Sequence, residues 1–239
     1  MPPPTGLVIN AGVTINAGVT LNGFASGGGP VTLTSGTSLG FDGTGSFVQV
    51  TGTTTDWILV DDWCIEWWEK LPDAAVTAYR GVIGQNVTGG LDLWHNNGYI
   101  NVSNAQIQFT QPTPGTWHHI AVQKDGSTVK AYIDGVSQTI TRNDGGSTFT
   151  NSSQNIIIGD RTFDGTSPIS QNFVGQLANI RISKIHRYSA TFTPPTTVVS
   201  DSNTVLALDS SVGSSGMLDD VSPSNHTIAN IGVALTTIT

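Results

Sequence analysis

Few residues of this chain could do chemistry, and their spacing decides what they can do. Glu66 and Glu69 stand in residues 63–71, WCIEWWEKL. Two carboxylates serve as acid and nucleophile on a glycosidic bond only when both face one cleft. The stretch reads as a strand. Alternation puts Trp63, Ile65, Trp67 and Glu69 on one face and Cys64, Glu66, Trp68 and Lys70 on the other. The two glutamates therefore point apart, and a glycosidase pair fails on parity. His118 and His119 are adjacent, so in a strand they also diverge. No third ligand or nucleophile-elbow serine accompanies them. One packed and one hydrogen-bonded histidine is the expectation. Cys64, alone in the chain, reads as a small buried hydrophobe with no disulfide to make.

The elements that position these residues follow from composition. Charged residues make up 11% of the chain while glycine reaches 28 residues, a profile that suits short strands joined by turns and disfavours long helices. Six tryptophans can fill the space between two sheets. The net charge of −8, with basic residues scattered, argues against nucleic acid, which needs a positive patch. No apolar run is long enough to span a bilayer as a helix, and residues 1–4 (MPPP) do not resemble a secretory signal. The four Asn-x-Ser/Thr sequons, at Asn86, Asn101, Asn151 and Asn225, are about what chance gives in a chain so rich in these residues.

Along the chain, residues 6–24 repeat with period six: LVINAG, VTINAG, VTLNGF. Such a short repeat reads as stacked turns, as an arm that wraps a partner, or as two similar edge strands. Residues 25–30 (ASGGGP) form a joint. Residues 31–50 alternate about an Asp42-Gly43-Thr44-Gly45 turn, and 63–71 is a central strand covered on both sides. Short strands follow at 81–85, 91–94, 99–102 and 107–109. Residues 117–135, WHHIAVQKDGSTVKAYIDG, form a hairpin around Asp125-Gly126 with a second turn at Asp134-Gly135. Strands at 155–159 and 173–183 flank a polar loop at 161–172.

The strings FDGTGSFV, CIEWWEK, WHHIAVQKDGSTVKAYIDG, IIIGD and FVGQLANIRISKIHRYSATFTPPT, in this order along residues 39–196, resemble a laminin-G-like domain of the concanavalin A-like lectin/glucanase superfamily. The resemblance implies an all-β jelly-roll sandwich of two antiparallel sheets, one concave, here with a short N-terminal β arm. The ending RISK…RY…FTPP is similar to modules of tailed-phage structural proteins and of large adhesive bacterial proteins. Residues 204–232 resemble the piece that opens such a domain, displaced to its end. Thr204–Leu208 and Thr227–Ile231 are therefore expected to complete the sheets, or to complete those of a neighbouring copy. The expected organisation is a docking arm over residues 1–30 and a sandwich over 31–239.

The resemblance also implies where ligands would bind. Superfamily glucanases carry Glu-x-Asp-x-x-Glu on one strand, and Glu66-Trp67-Trp68-Glu69 lacks the middle carboxylate. Glu66 and Trp68 take the parity of the concave face, and Asp92 and Trp94 are expected beside them from a neighbouring strand. These four are the carbohydrate-binding candidates. Calcium at the sandwich rim is implied for the loop holding Asp160 and Asp164, with residues 42–44 as another candidate; these aspartates serve equally well as turn formers. The expected protein is a non-catalytic virion structural or decoration protein of a tailed phage. It would be made in the host cytoplasm and exposed on the virion surface, as a homo-oligomer docked to virion proteins or to copies of itself. The alternative is a carbohydrate-binding receptor-binding fibre or a cell-surface adhesin that meets surface glycans.

Overall fold

A computed structural model describes residues 31–239, apart from 53–54, 74–76, 86, 103–105, 146, 152–153 and 162–170. The hexad repeat and the rest of residues 1–30, Asn86 and Asp164 lie outside the described residues. The strands are β1 (Thr37–Asp42), β2 (Phe47–Thr51), β3 (Trp63–Lys70), β4 (Arg80–Gly84), β5 (Asp92–Asn96), β6 (Tyr99–Val102), β7 (Ile107–Thr110), β8 (Trp117–Asp125), β9 (Thr128–Ile133), β10 (Val136–Gln138), β11 (Arg142–Asn143), β12 (Ile156–Ile158), β13 (Val174–Ser183), β14 (Thr204–Leu208), β15 (Thr227–Ile231) and β16 (Ala234–Thr237). They form two eight-stranded antiparallel sheets. The first, sheet A, runs β10-β9-β8-β3-β13-β1-β16, with β14 also on β13; the second, sheet B, runs β11-β7-β6-β5-β4-β12-β2-β15. This is the all-β, two-sheet sandwich expected from the sequence.

Alternation builds the core. Trp63, Ile65 and Trp67 of β3 and Ile120 and Val122 of β8 face Leu93 of β5, Ile100 and Val102 of β6 and Phe109 of β7 in one apolar cluster. The opposite parity of β3 carries Cys64, Glu66 and Trp68. β3 sits between β8 and β13, and seven of its eight residues are buried, so it is central and covered on both faces. The β8–β9 hairpin pairs Ile120 with Ile133 and Asp125 with Thr128. Its follow-on turn holds Asp134 and Gly135 at φ 52° and 75°, the left-handed pair that a tight hairpin turn favours.

β13 organises the other half of sheet A. Its first part pairs with β1 (Leu39 opposite Leu177) and its second with β14 (Ile180 opposite Leu208). Between them Asn179 takes a left-handed φ of 49° where the β13–β3 register shifts, a bulge of the kind that bends a strand. Asn179 fastens this bend through its side chain, donating to Thr196 O and accepting from Ser210 N–H at 2.8 Å each. The C-terminal residues are integral to both sheets. β14 lies on β13, β15 pairs with β2 (Ile228 opposite Val50), and β16 pairs with β1 (Leu39 opposite Leu235).

Leu206 and Leu208 are fully buried in the main core. Leu208→Ala is expected to cost about 2–5 kcal/mol in urea unfolding followed by tryptophan fluorescence, as for other buried leucines. A loss below about 1 kcal/mol, well under that range, would mean that the C-terminal strand lies outside the cooperative core.

Candidate functional site

The four carbohydrate candidates do not assemble. Glu66 and Trp68 lie on β3 of sheet A, whereas Asp92 and Trp94 lie on β5 of sheet B, between β4 and β6. Parity correctly gave each residue its face, but strand alternation carries no information about sheet membership.

Glu66 and Trp68 are also closed off. Residues 184–200 run across the outer face of sheet A as a strap. Trp68 is fully buried and donates its indole N–H to Pro195 O at 2.8 Å. A second apolar cluster, with Trp117, Ala178, Leu33 and Ile238, packs around it. A ring so covered has no face to offer a sugar. Glu66 is 2% exposed. It accepts from Arg181 Nε and from the Tyr188 hydroxyl, and it faces His119 Nε2 at 3.2 Å. Burial alone would raise its pKa. His119, Arg181 and Tyr188 outweigh that and bring it down to about 2, so the carboxylate is ionised under the strap. The same burial, with Glu66 beside it, pushes the Tyr188 phenol up. The strap is fastened further by Gln123 Nε2 to Tyr188 O, Phe192 N–H to Gly135 O and Arg181 to Val199 O. A Cβ on Gly135 would lie 1.8 Å from Phe192 O, so the strap requires glycine there.

Glu69 takes the opposite path, as parity demands. Inside the sandwich its Oε2 accepts from Trp67 Nε1 at 2.7 Å and meets His95 Nε2 at 3.1 Å. The histidine pair behaves as expected. His119 packs edge-on against Trp68, Tyr188 and Phe192. His118 binds Asp134 at 2.7 Å, and this carboxylate raises its pKa. Burial pushes the Cys64 thiol up and keeps it protonated.

On the outer face of sheet B, Asp92 and Trp94 are buried as well, but Tyr79 and Tyr99 near them are exposed. Gly81 of β4 lets the backbone of 160–161 lie directly on the sheet, since a Cβ there would meet Asp160 C at 2.3 Å. From that position Arg161 grips Asp92 with two hydrogen bonds, Nε to Oδ1 at 2.9 Å and Nη2 to Oδ2 at 2.6 Å. Its guanidinium lies 4.4 Å from the Trp94 ring, a cation–π distance. Tyr79 stacks on Trp94 with centroids 4.8 Å apart at 29°. Trp94 is 4% exposed but Tyr79 is 46% exposed, and the Arg161 guanidinium also lies 6.0 Å from the Tyr79 ring. Among the described residues no acceptor reaches the buried Trp94 Nε1. Tyr99 of β6, 37% exposed, is paired with Asn96 of β5, and Tyr79 immediately precedes β4, the other neighbour of β5. The neighbouring row holds Asn101 and Gln108, joined side chain to side chain at 2.6 Å.

Asp160 lies under this surface and is fully buried. Its Oδ1 accepts from Arg161 N–H at 2.6 Å and its Oδ2 from Asn172 Nδ2. Burial raises its pKa to about 6, against the opposing pull of the Arg161 and Gln171 N–H groups. Its oxygens are engaged by donors, not turned together toward a shared cation position. Asp42 likewise folds onto its own turn, Oδ1 accepting from Thr44 N–H at 2.9 Å and Thr44 Oγ1 at 2.7 Å.

The geometry defines a class: an antiparallel sandwich with one sheet face strapped shut and an aromatic, hydrogen-bonding surface on the other. Residues 42–193 match the laminin-G-like family described as the concanavalin A-like lectin/glucanases superfamily, and the chain belongs to that family. No curated protein sequence matches the chain. Among solved structures, a Bacteroides ovatus protein named for carbohydrate binding is similar at TM-score 0.65 and 17% identity, over 86% of this chain and 61% of that one. This chain thus spans less than two-thirds of that relative. The heptameric pentraxin of Limulus polyphemus is similar at TM-score 0.50 and 13% identity, over 84% and 95%. At these identities the likeness is one of fold.

Sequence reasoning missed Tyr79, Tyr99 and Arg161. The first two had a signal: Tyr79 keeps the parity of Gly81 just ahead of a strand, and Tyr99 follows the Asn97-Gly98 turn. Arg161 had none, because its partner Asp92 is 69 residues away.

The Glu66 network has a testable sign. A carboxylate whose folded pKa lies below its ordinary 4.5 contributes stability above that value and loses it as pH falls toward about 2. Glu66→Gln should melt lower than the parent at neutral pH, with the gap shrinking as pH drops from 4.5 to 2. A gap that is constant with pH would mean that Glu66 is not held ionised by its partners.

Proposed function

We propose that this chain is a non-catalytic recognition module that binds carbohydrate on the outer face of β4, β5 and β6, displayed on the virion surface of a tailed phage. The observation that carries the sugar reading is the exposed Tyr79 ring, packed on Trp94 and with the Arg161 guanidinium beside both rings. An aromatic face held rigid from behind can pack against the apolar face of a pyranose, while nearby amides take its hydroxyls. Trp94 and Asp92 act here as backing, Asp92 through its grip on Arg161. Tyr99, Asn96 and Gln108 extend the surface, with the buried Asn101 behind them holding Gln108. The name of the Bacteroides ovatus relative supports the same class of ligand.

The non-catalytic part of the reading rests on the carboxylates. Glu66 is locked under the strap, Glu69 is in the core, Asp92 is paired with Arg161, and Asp160 is buried among donors. Among these no pair shares an open cleft. The virion setting is supported by the similarity of the end of β13 and the strap, RISK…RY…FTPP, to modules of tailed-phage structural proteins. In this setting residues 1–30 dock onto virion proteins or onto other copies, and mass spectrometry of purified virions tests it.

Glycan-array screening followed by titration of a hit tests the sugar reading. Tyr79→Ala is expected to weaken binding roughly tenfold, the loss of about 1–1.5 kcal/mol for an aromatic contact, while Trp68→Phe leaves it unchanged. Binding that survives Tyr79→Ala, or that vanishes with Trp68→Phe, would place the ligand elsewhere.

A further inference from the structure

Away from the aromatic surface, three side chains from three separate segments meet at the turn of the β8–β9 hairpin: Asp62 from the approach to β3, Asp125 from the end of β8, and His186 from the turn after β13. One ligand atom of each lies within 4.8 Å of the others. Asp62 Oδ2 is 2.9 Å and Asp125 Oδ1 is 3.8 Å from His186 Nδ1. We propose that this triad binds a divalent transition cation of the zinc type, with His186 Nδ1, Asp62 Oδ2 and Asp125 Oδ1 as ligands and water completing the coordination.

The outer contacts carry the argument. Each carboxylate has one oxygen tied down and the other turned to the imidazole. Asp62 Oδ1 accepts from Gly126 N–H at 2.7 Å, leaving Oδ2 toward His186. Asp125 Oδ2 accepts from Lys130 Nζ at 2.7 Å, leaving Oδ1 toward His186. Lys124 Nζ, bonded to Val60 O at 2.6 Å and Asp61 O at 3.0 Å, fastens the segment that delivers Asp62. Outer hydrogen bonds of this kind orient metal ligands and fix the oxygen they present. Metal–ligand bonds of about 2.0–2.2 Å put neighbouring donors roughly 3–3.5 Å apart. The two contacts to His186 bracket that span, so a cation could take the place of the proton between imidazole and carboxylate with little movement. One imidazole with two carboxylates suits zinc-type ions better than calcium, which takes six to eight oxygens. All three residues are partly exposed, so water and ion reach them. Lys124 and Lys130 offset much of the carboxylate charge, which sets the expected affinity in the micromolar range rather than tighter.

The test is titration of the full chain with Zn2+ by calorimetry, with melting temperature as a second readout. One saturable site per chain is expected, together with a higher melting temperature that chelator reverses. Binding should weaken in acid, because the imidazole must give up its proton. His186→Ala and Asp125→Asn, each checked for folding by circular dichroism, should abolish the site. His118→Ala should leave it intact. The proposal is overturned if binding does not saturate, if His186→Ala and Asp125→Asn retain it, or if His118→Ala reduces it as much as they do.

Discussion

The ionised Glu66 carboxylate is the constraint on which this sandwich turns. A buried charge is tolerated only when its environment replaces the water it lost. Here the replacement comes from Arg181 on the adjacent strand, His119 on the other neighbour and Tyr188 on the strap. Two of these partners are fixed by sheet pairing and the third by strap docking. The charge therefore couples β3, β8 and β13 to residues 184–200, and lifting the strap would cost Glu66 its bond from the Tyr188 hydroxyl. Trp68, its indole donating to Pro195 O, adds an apolar seal to the polar lock.

That closure leaves the other sheet as the open one. With the outer face of sheet A occupied by the chain itself, the exposed aromatic area lies on sheet B, where Gly81 admits the 160–161 backbone and Arg161 ties Asp92 to the Trp94 ring. The same contacts that make this surface rigid keep Asp92 engaged with Arg161. A preformed aromatic platform pays little ordering entropy on binding, in keeping with the proposed sugar-binding role.

How much of this was legible in the sequence follows from the range of the interactions. The hairpin at 117–135 and the faces of β3 were readable, because a period of two and Asp-Gly turns are local signals. The two-sheet sandwich was readable from the order of its family strings. β16 was not: residues 234–237 (ALTT) are short and polar, and they become a strand by pairing with β1, nearly 200 residues earlier. The course of the strap was not legible, because nothing in YSATFTPP says which surface it will cross. Asp92 and Trp94 were assigned to the wrong neighbourhood for the same reason: alternation gives a side chain its face, while its sheet depends on contacts far away in sequence. The Asp62–Asp125–His186 cluster draws on segments up to 124 residues apart and has no sequence signature.

The central claim is that the open, ligand-facing surface lies at Tyr79 on sheet B and not at Glu66 and Trp68 on sheet A. Side-chain NMR during titration with a glycan hit tests it most directly. The account predicts that the Tyr79 and Tyr99 ring resonances shift and saturate with the ligand while those of His119 and Tyr188 stay fixed. Shifts at His119 and Tyr188 with Tyr79 unmoved would contradict it, and would mean that the strap opens to admit the sugar.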